Sequence, residues 1–190
     1  MNIGIFSGSF DPIHIGHMII AEHMCEFAGM DEIWFSVSPQ NPLKQAEGIS
    51  DIKHRIAMLK IAIKGESRMK YCDIETKLPV PSYSADMLDA LAREYPQHSF
   101  RLIIGSDNWN IFGKWYRHDY IIENFGLLIF PRPGHTAVPV SGNGDIACCH
   151  APETDISSTY IRNCVKEGKR LNHCVPPGVM DYIMDNGLYR

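Results

Sequence analysis

Ile3-Gly4-Ile5-Phe6-Ser7-Gly8-Ser9-Phe10-Asp11-Pro12-Ile13-His14-Ile15-Gly16-His17-Met18 is the stretch on which the fold turns. Its apolar residues at 3, 5 and 6 read as a short buried strand and Gly8 to Pro12 as a turn. Apolar residues at 15, 18, 19, 20 and 24 then fit a helix that ends near Gly29. Strand, glycine turn and helix in that order bring unpaired backbone N–H groups and the positive end of a helix dipole to one point, where phosphate binds. His14 and His17 fall on the same side of the first helical turn, and Gly16 between them leaves room for a ligand to approach the backbone.

Working outward, Glu32 to Val37 reads as a second strand, giving a β-α-β start with parallel strands. Ser38 to Gly48 is a loop carrying Lys44. Ser50 reads as an N-cap, because apolar residues at 52, 56, 59 and 63 mark one helical face before Gly65. A third strand is expected over Lys70 to Thr76. Ser84 is expected to cap a helix with Met87, Leu88, Leu91 and Tyr95 on its apolar face, stopped by Pro96. Phe100 to Ile104 is the clearest buried strand and runs into Gly105-Ser106-Asp107. A short helical region with Trp109 as a core residue follows, then a helix over Tyr120 to Asn124 and a strand over Leu127 to Phe130, closed by Arg132-Pro133-Gly134. The segment 135–144 reads as irregular, Asp145 to Cys149 as a last strand, Ser157-Ser158 as the start of a helix, and Pro176 as the start of a final helix through Asp185. Alternating strands and helices imply an α/β domain, Rossmann-like in being doubly wound, with a mainly parallel sheet and helices on both faces. Ligands in such sheets gather at the carboxyl ends of the strands, where Gly8, Ser38, Gly105 and Arg132 all fall.

The 190 residues suit one domain spanning 1–190. A composition 45% hydrophobic and 21% charged is that of a folded protein, and no apolar run approaches the roughly 20 residues of a membrane helix. No signal-like N-terminal pattern directs the chain elsewhere, so it is expected in the cytoplasm. A net charge of −4 disfavours a general nucleic-acid binder, so an anionic ligand must be held by a local cluster. The six cysteines lack paired C-x-x-C spacing and are expected as reduced, small hydrophobes. A homo-oligomer is compatible with the sequence, which does not specify one.

The opening stretch is neither the G-x-G-x-x-G dinucleotide fingerprint nor a Walker loop. Gly8-Ser9-Phe10-Asp11-Pro12 followed by His14-x-Gly16-His17, with Ile156-Ser157-Ser158-Thr159-x-Ile161-Arg162 much later, resembles the nucleotidylyltransferase superfamily. Pro81-Ser82-Tyr83-Ser84, Ile104-Gly105-Ser106-Asp107, Lys114-Trp115-Tyr116, Arg132-Pro133-Gly134 and the ending Asn186-Gly187-Leu188-Tyr189-Arg190 narrow the likeness to the bacterial nicotinate-nucleotide adenylyltransferases, over essentially the whole chain.

That resemblance implies transfer of the adenylyl group of ATP to nicotinate mononucleotide, with pyrophosphate released and the dinucleotide precursor of NAD formed. It implies that His14 and His17 contact the ATP phosphates, with His17 stabilising charge on the transferring group, and that Arg162 holds the β and γ phosphates with the Ser157-Ser158-Thr159 helix start. Gly8, Ser9, Phe10, Gly16 and Gly105 would line the same ATP site. Asp107 would accept from ribose hydroxyls, although a helix N-cap is the plainer role for an aspartate there. Arg132 lines an adenine pocket or simply a turn, and Lys44 either reaches a phosphate or is solvated. Trp115 would stack on the pyridine ring while backbone N–H groups around Tyr83 and Ser84 bind its carboxylate. No metal site is expected from His14 and His17, which lack a carboxylate or thiol set nearby; Mg2+ is expected to arrive bound to ATP. The rivals are nicotinamide mononucleotide or phosphopantetheine as the acceptor, and a non-catalytic nucleotide-binding module on the same fold.

Overall fold

The computed structural model describes residues 1–39, 49–135 and 146–190. Lys44 and the segment 136–144 therefore lie outside the described residues. The chain opens with strand β1 (Asn2–Gly8), helix α1 (Ile15–Phe27) and strand β2 (Glu32–Val37). Helix α2 (Ile52–Ala62), strand β3 (Met69–Cys72), a 3-10 turn (Ile74–Lys77) and helix α3 (Ser84–Glu94) follow. Strand β4 (Ser99–Gly105) leads into a single helical turn, α4 (Ser106–Trp109), a second 3-10 turn (Phe112–Lys114), helix α5 (His118–Asn124) and strand β5 (Leu127–Phe130). Strand β6 (Ile146–Cys148) and helices α6 (Ser158–Lys166) and α7 (Val179–Asp185) complete the order.

The six strands form one sheet in the order β3-β2-β1-β4-β5-β6, and every neighbouring pair is parallel. The chain winds outward from β1 to β3, then returns to the other side of β1 at β4. That reversal places a switch point between the carboxyl ends of β1 and β4, the place where doubly wound sheets bind ligands.

Because both faces are covered, alternate residues of one strand enter different cores. Ile3, Ile5, Leu102, Ile104, Leu127 and Ile129 pack with Leu88 and Leu91 of α3 and Ile121 of α5. Phe6, Phe35, Ile103, Leu128 and Phe130 pack on the other face with Met24 of α1, Leu59 of α2, Ile161 of α6 and Ile183 of α7. The continuous apolar runs in these strands reflect that double burial.

Several boundaries differ from the sequence reading. Asp51, not Ser50, caps α2: the helix starts at Ile52, and the Asp51 carboxylate accepts the Lys53 N–H at 2.9 Å. The buried residues of α2 are Arg55, Met58, Leu59 and Ala62, so its inner stripe includes a charged residue that an apolar count passes over. β3 stops at Cys72, and the 3-10 turn after it carries Glu75 inward. Tyr83 holds the N-cap position of α3, and Ser84 is its first helical residue, with no side-chain cap. The last helix begins at Val179 rather than Pro176, because Gly178 stands in the left-handed region at φ 83° and separates the proline turn from the helix. Trp109 is half-buried beside Phe112, with ring centroids 5.7 Å apart. All six cysteines are free, and no described helix is long and apolar enough to cross a membrane.

Candidate active site

The loop from Ser9 to His14 crosses the carboxyl edge of the sheet at the switch point. Phe10 anchors it: the residue is 2% exposed, and its ring packs edge-on against Phe35 at 5.5 Å and His17 at 5.0 Å. Its φ of 46° is uncommon for a side chain of this size, a local cost that the buried ring offsets. The Phe10 side chain is therefore core, and only its backbone faces the loop.

His14 occupies the N-cap of α1, and its ring stacks on that of His17 with centroids 3.7 Å apart. The His14 N–H donates to His17 Nδ1 at 3.2 Å. In a neutral imidazole that bond assigns the proton to Nε2, leaving His17 an N–H donor on its other side. Burial, reinforced by the nearby Arg132 guanidinium, pushes His14 down to about 4. Burial first, then His14 and Arg132, holds His17 well below the usual histidine range. Both rings are neutral at pH 7. Gly16 is required here for packing, since a Cβ would stand 2.9 Å from Thr154 Oγ1 and 3.0 Å from the His14 ring. The space attributed to a ligand in the sequence is filled by protein.

The two distant motifs meet physically. Arg162 Nη1 donates to the Asp11 carbonyl at 2.7 Å, and Ser158 Oγ donates to the Pro12 carbonyl at 2.9 Å. Ser157 caps α6 by accepting the Tyr160 N–H at 3.2 Å, and Arg162 Nη2 reaches Thr159 Oγ1 at 3.3 Å. The Ser158 proton is thus committed to the first loop, while the remaining guanidinium donors and the Ser157 hydroxyl proton stay available for an anion. The C-terminal segment adds a latch: Tyr189 Oη donates to Asp11 Oδ1 at 2.6 Å. Burial and the neighbouring Asp11 carboxylate raise the Tyr189 phenol, which keeps that donor protonated.

Across the switch point, Arg132 and Asp107 face each other with Nε and Oδ1 3.8 Å apart, inside ion-pair range but too long for a hydrogen bond. Both atoms are buried without a hydrogen-bond partner among the described residues, as are His14 Nδ1 and Trp115 Nε1. Unsatisfied buried polar atoms are rare in native proteins, and candidate site residues carry four of the five found among the described residues, the fifth being His98 Nδ1. Gly105 makes the approach feasible, because a Cβ there would crowd the Asp107 carboxylate and lie 3.1 Å from the Arg132 side chain. Asp107 is not an N-cap: Gly105 holds that position in α4. Arg132-Pro133-Gly134 is a turn, closed by a bridge from Arg132 to His135 and tied to Ser106 Oγ, which accepts the Arg132 N–H at 2.9 Å.

Trp115 and Tyr83 lie on the α3 side of the sheet. Tyr83 and Tyr116 have ring centroids 5.0 Å apart, and Trp115 is half-buried against Phe112 at 5.2 Å. Arg117 fixes this segment to α3 by donating to Asp89 Oδ2 at 2.8 Å, while Tyr120 donates to the other oxygen at 2.7 Å.

Sequence reasoning missed two buried charges that organise the crevice. Arg55, 2% exposed, donates to the carbonyls of Ser38 at 2.7 Å, Ser9 at 2.9 Å, Ser50 at 3.0 Å and Pro39 at 3.3 Å. It thereby ties together the loops leaving β1 and β2. Glu75, 5% exposed, accepts from three serine hydroxyls. A cation interrupting the inner stripe of α2 was the available signal for Arg55; Glu75 gave none.

A crevice at the switch point of a parallel sheet, with neutral imidazoles, an arginine fork and the Asp107 carboxylate converging on it, defines a nucleotide-handling α/β protein. The chain belongs to the cytidylyltransferase-like family, whose profile matches residues 5–164. A protein of Flavobacterium johnsoniae named probable nicotinate-nucleotide adenylyltransferase is 42% identical over 192 residues, with 100% of both chains covered. One of the same name from Bacteroides thetaiotaomicron is 43% identical over 97% of this chain and 92% of its own. Among solved structures, Plasmodium falciparum nicotinic acid mononucleotide adenylyltransferase complexed with NaAD superposes with a TM-score of 0.83, covering 99% of this chain and 97% of that one. At 22% identity that likeness concerns the fold.

Proposed function

We propose that the protein transfers the adenylyl group of ATP to nicotinate mononucleotide, giving nicotinate adenine dinucleotide and pyrophosphate as a step of NAD biosynthesis in the cytoplasm. The observation that carries this reading is the joined pair of motifs, with Arg162 and Ser158 bonded to the loop that presents His14 and His17. The names shared by relatives of about 40% identity and full length support the choice of acceptor.

The reaction forms a bond between a phosphate oxygen of the mononucleotide and the α-phosphorus of ATP, and breaks the bond from that phosphorus to the bridging oxygen of pyrophosphate. The attacking phosphate is largely dianionic near neutral pH, so no general base is needed. Repulsion between anions is the obstacle, which positioning and hydrogen-bond donation reduce. His17 Nε2–H supplies a neutral donor of fixed tautomer at the α-phosphate. Arg162 and the start of α6 hold the β and γ phosphates, and Asp107 accepts from the ribose. Backbone N–H groups of Gly8, Ser9 and Phe10 line the same channel. On the mononucleotide side, the first N–H groups of α3, at Tyr83 and Ser84, receive the nicotinate carboxylate, and Trp115 covers the ring. Magnesium bound to ATP would supply neutralisation of phosphate charge, beside the donors of His17 and Arg162. Incubating pure protein with ATP, Mg2+ and nicotinate mononucleotide is expected to release pyrophosphate in step with dinucleotide. ATP binding without pyrophosphate release would instead identify a nucleotide-sensing module.

A further inference from the structure

Glu75 lies beneath the crevice and is hydrogen-bonded to none of the described side chains assigned to ATP. Its Oε2 accepts from Ser7 Oγ at 2.9 Å and Ser36 Oγ at 2.8 Å, and its Oε1 accepts from Ser82 Oγ at 2.8 Å. Ser7 and Ser36 stand opposite each other in the β1–β2 register, so two rigid central strands converge on one oxygen. The other oxygen reaches a residue of irregular backbone, one position before the N-cap Tyr83 of α3. No basic side chain among the described residues pairs with this carboxylate.

A carboxylate buried without a cation is costly, and three hydroxyl bonds offset that cost rather than yield net stability. An apolar side chain would serve the core at least as well. What the carboxylate supplies is a fixed distance between the sheet edge and the start of α3. We propose that Glu75 is a positioning residue for the mononucleotide subsite, acting through Ser82 to set where the first N–H groups of α3 point. The proposal rests on the adenylyl-transfer reading above. Those N–H groups have no acceptor within the helix, since the first helical bond runs from the Met87 N–H to the Tyr83 carbonyl. Their orientation decides how well they meet a carboxylate on the pyridine ring, where displacement of about 1 Å is costly. Among the described residues, the ATP half of the crevice meets Glu75 only through Ser7 on the rigid strand β1, whereas the link to α3 runs through irregular backbone, so the effect falls mainly on one substrate.

The test is steady-state kinetics of wild type, Glu75→Gln and Ser82→Ala with each substrate varied. The glutamine keeps the volume but puts an amide NH2 where a carboxylate oxygen accepted, so at least one serine bond must reverse direction and all three lose the charge that strengthens them. Ser82→Ala cuts only the link to α3 and leaves the carboxylate bonded to the sheet. Both variants are expected to raise KM for nicotinate mononucleotide about tenfold, with KM for ATP within twofold, and to lower the preference for nicotinate over nicotinamide mononucleotide. A purely structural role would lower the melting temperature and leave both KM values and that preference unchanged, which overturns the proposal; an equal rise in both KM values also overturns it. If Glu75→Gln fails to fold, Ser82→Ala decides by the same readout. A wild type that releases no pyrophosphate defeats the adenylyl-transfer reading and this inference with it, whereas an active wild type with unmoved variants defeats this inference alone.

Discussion

Acidification should weaken the fold through the stacked histidines, and His14 sets the scale. Burial lowers it from 6.5 to about 4 in the native protein. A group whose folded pKa is depressed stabilises the fold above the unfolded pKa and loses that contribution as pH falls towards the folded one. Above pH 7 neither state binds a proton at this site. At pH 5 the unfolded imidazole is mostly protonated while the native one is not, a difference worth about 2 kcal/mol; the full span of the shift is worth ~3 kcal/mol. His17 moves in the same direction. Other groups titrate over this range, so the variant His14→Gln, which keeps a polar side chain without a titration, isolates the contribution. Urea unfolding of both proteins at pH 7 and pH 5 should show wild type losing about 2 kcal/mol more than the variant between the two. Parallel losses would mean that His14 is protonated as easily in the native protein as in the unfolded chain, and would refute a buried, neutral pair.

Arg55→Met removes the cation shared by four loop carbonyls and should cost ~3–5 kcal/mol in urea unfolding, since those carbonyls lose their donors together. A loss below about 1 kcal/mol would show that the loops hold their places without it. Arg162→Lys keeps the charge and loses the planar fork that bonds the Asp11 carbonyl and, in the proposed reaction, a phosphate, so KM for ATP should rise about tenfold and KM for the mononucleotide should not. An equal rise in both would indicate general loosening of the clamp.

How far the sequence specifies this molecule varies with the distance over which each residue acts. β2 and β5 are read to the residue, because short, mainly apolar runs bounded by turn-forming residues, Asp31 and Ser38 for one and Gly126 and Pro131 for the other, carry their own limits. The opening turn and the start of α6 are equally local, and their residue types name the chemistry of each half. That Ser158 would bond Pro12, 146 residues away, is a fact of tertiary structure alone. The inner face of α2 was read incompletely: Ile52, Ile56, Leu59 and Ile63 do pack on the core, but Arg55 is buried by carbonyls of the loops after β1 and β2, which its neighbours in sequence do not reveal. Glu75 stayed hidden for the same reason, with serines at positions 7, 36 and 82 as its partners. The glycines show the opposite error: Gly16 was credited with room for a ligand, but His14 and Thr154 fill that room.

The most direct test of the central claim compares catalytic efficiency on nicotinate mononucleotide with that on nicotinamide mononucleotide, following pyrophosphate release and product mass with ATP saturating. A carboxylate met by the first N–H groups of α3, beside Trp115, predicts a preference for nicotinate of at least tenfold, about 1.4 kcal/mol of differential binding. Equal efficiencies, or a preference for the amide, would contradict the assignment of this crevice to the nicotinate substrate.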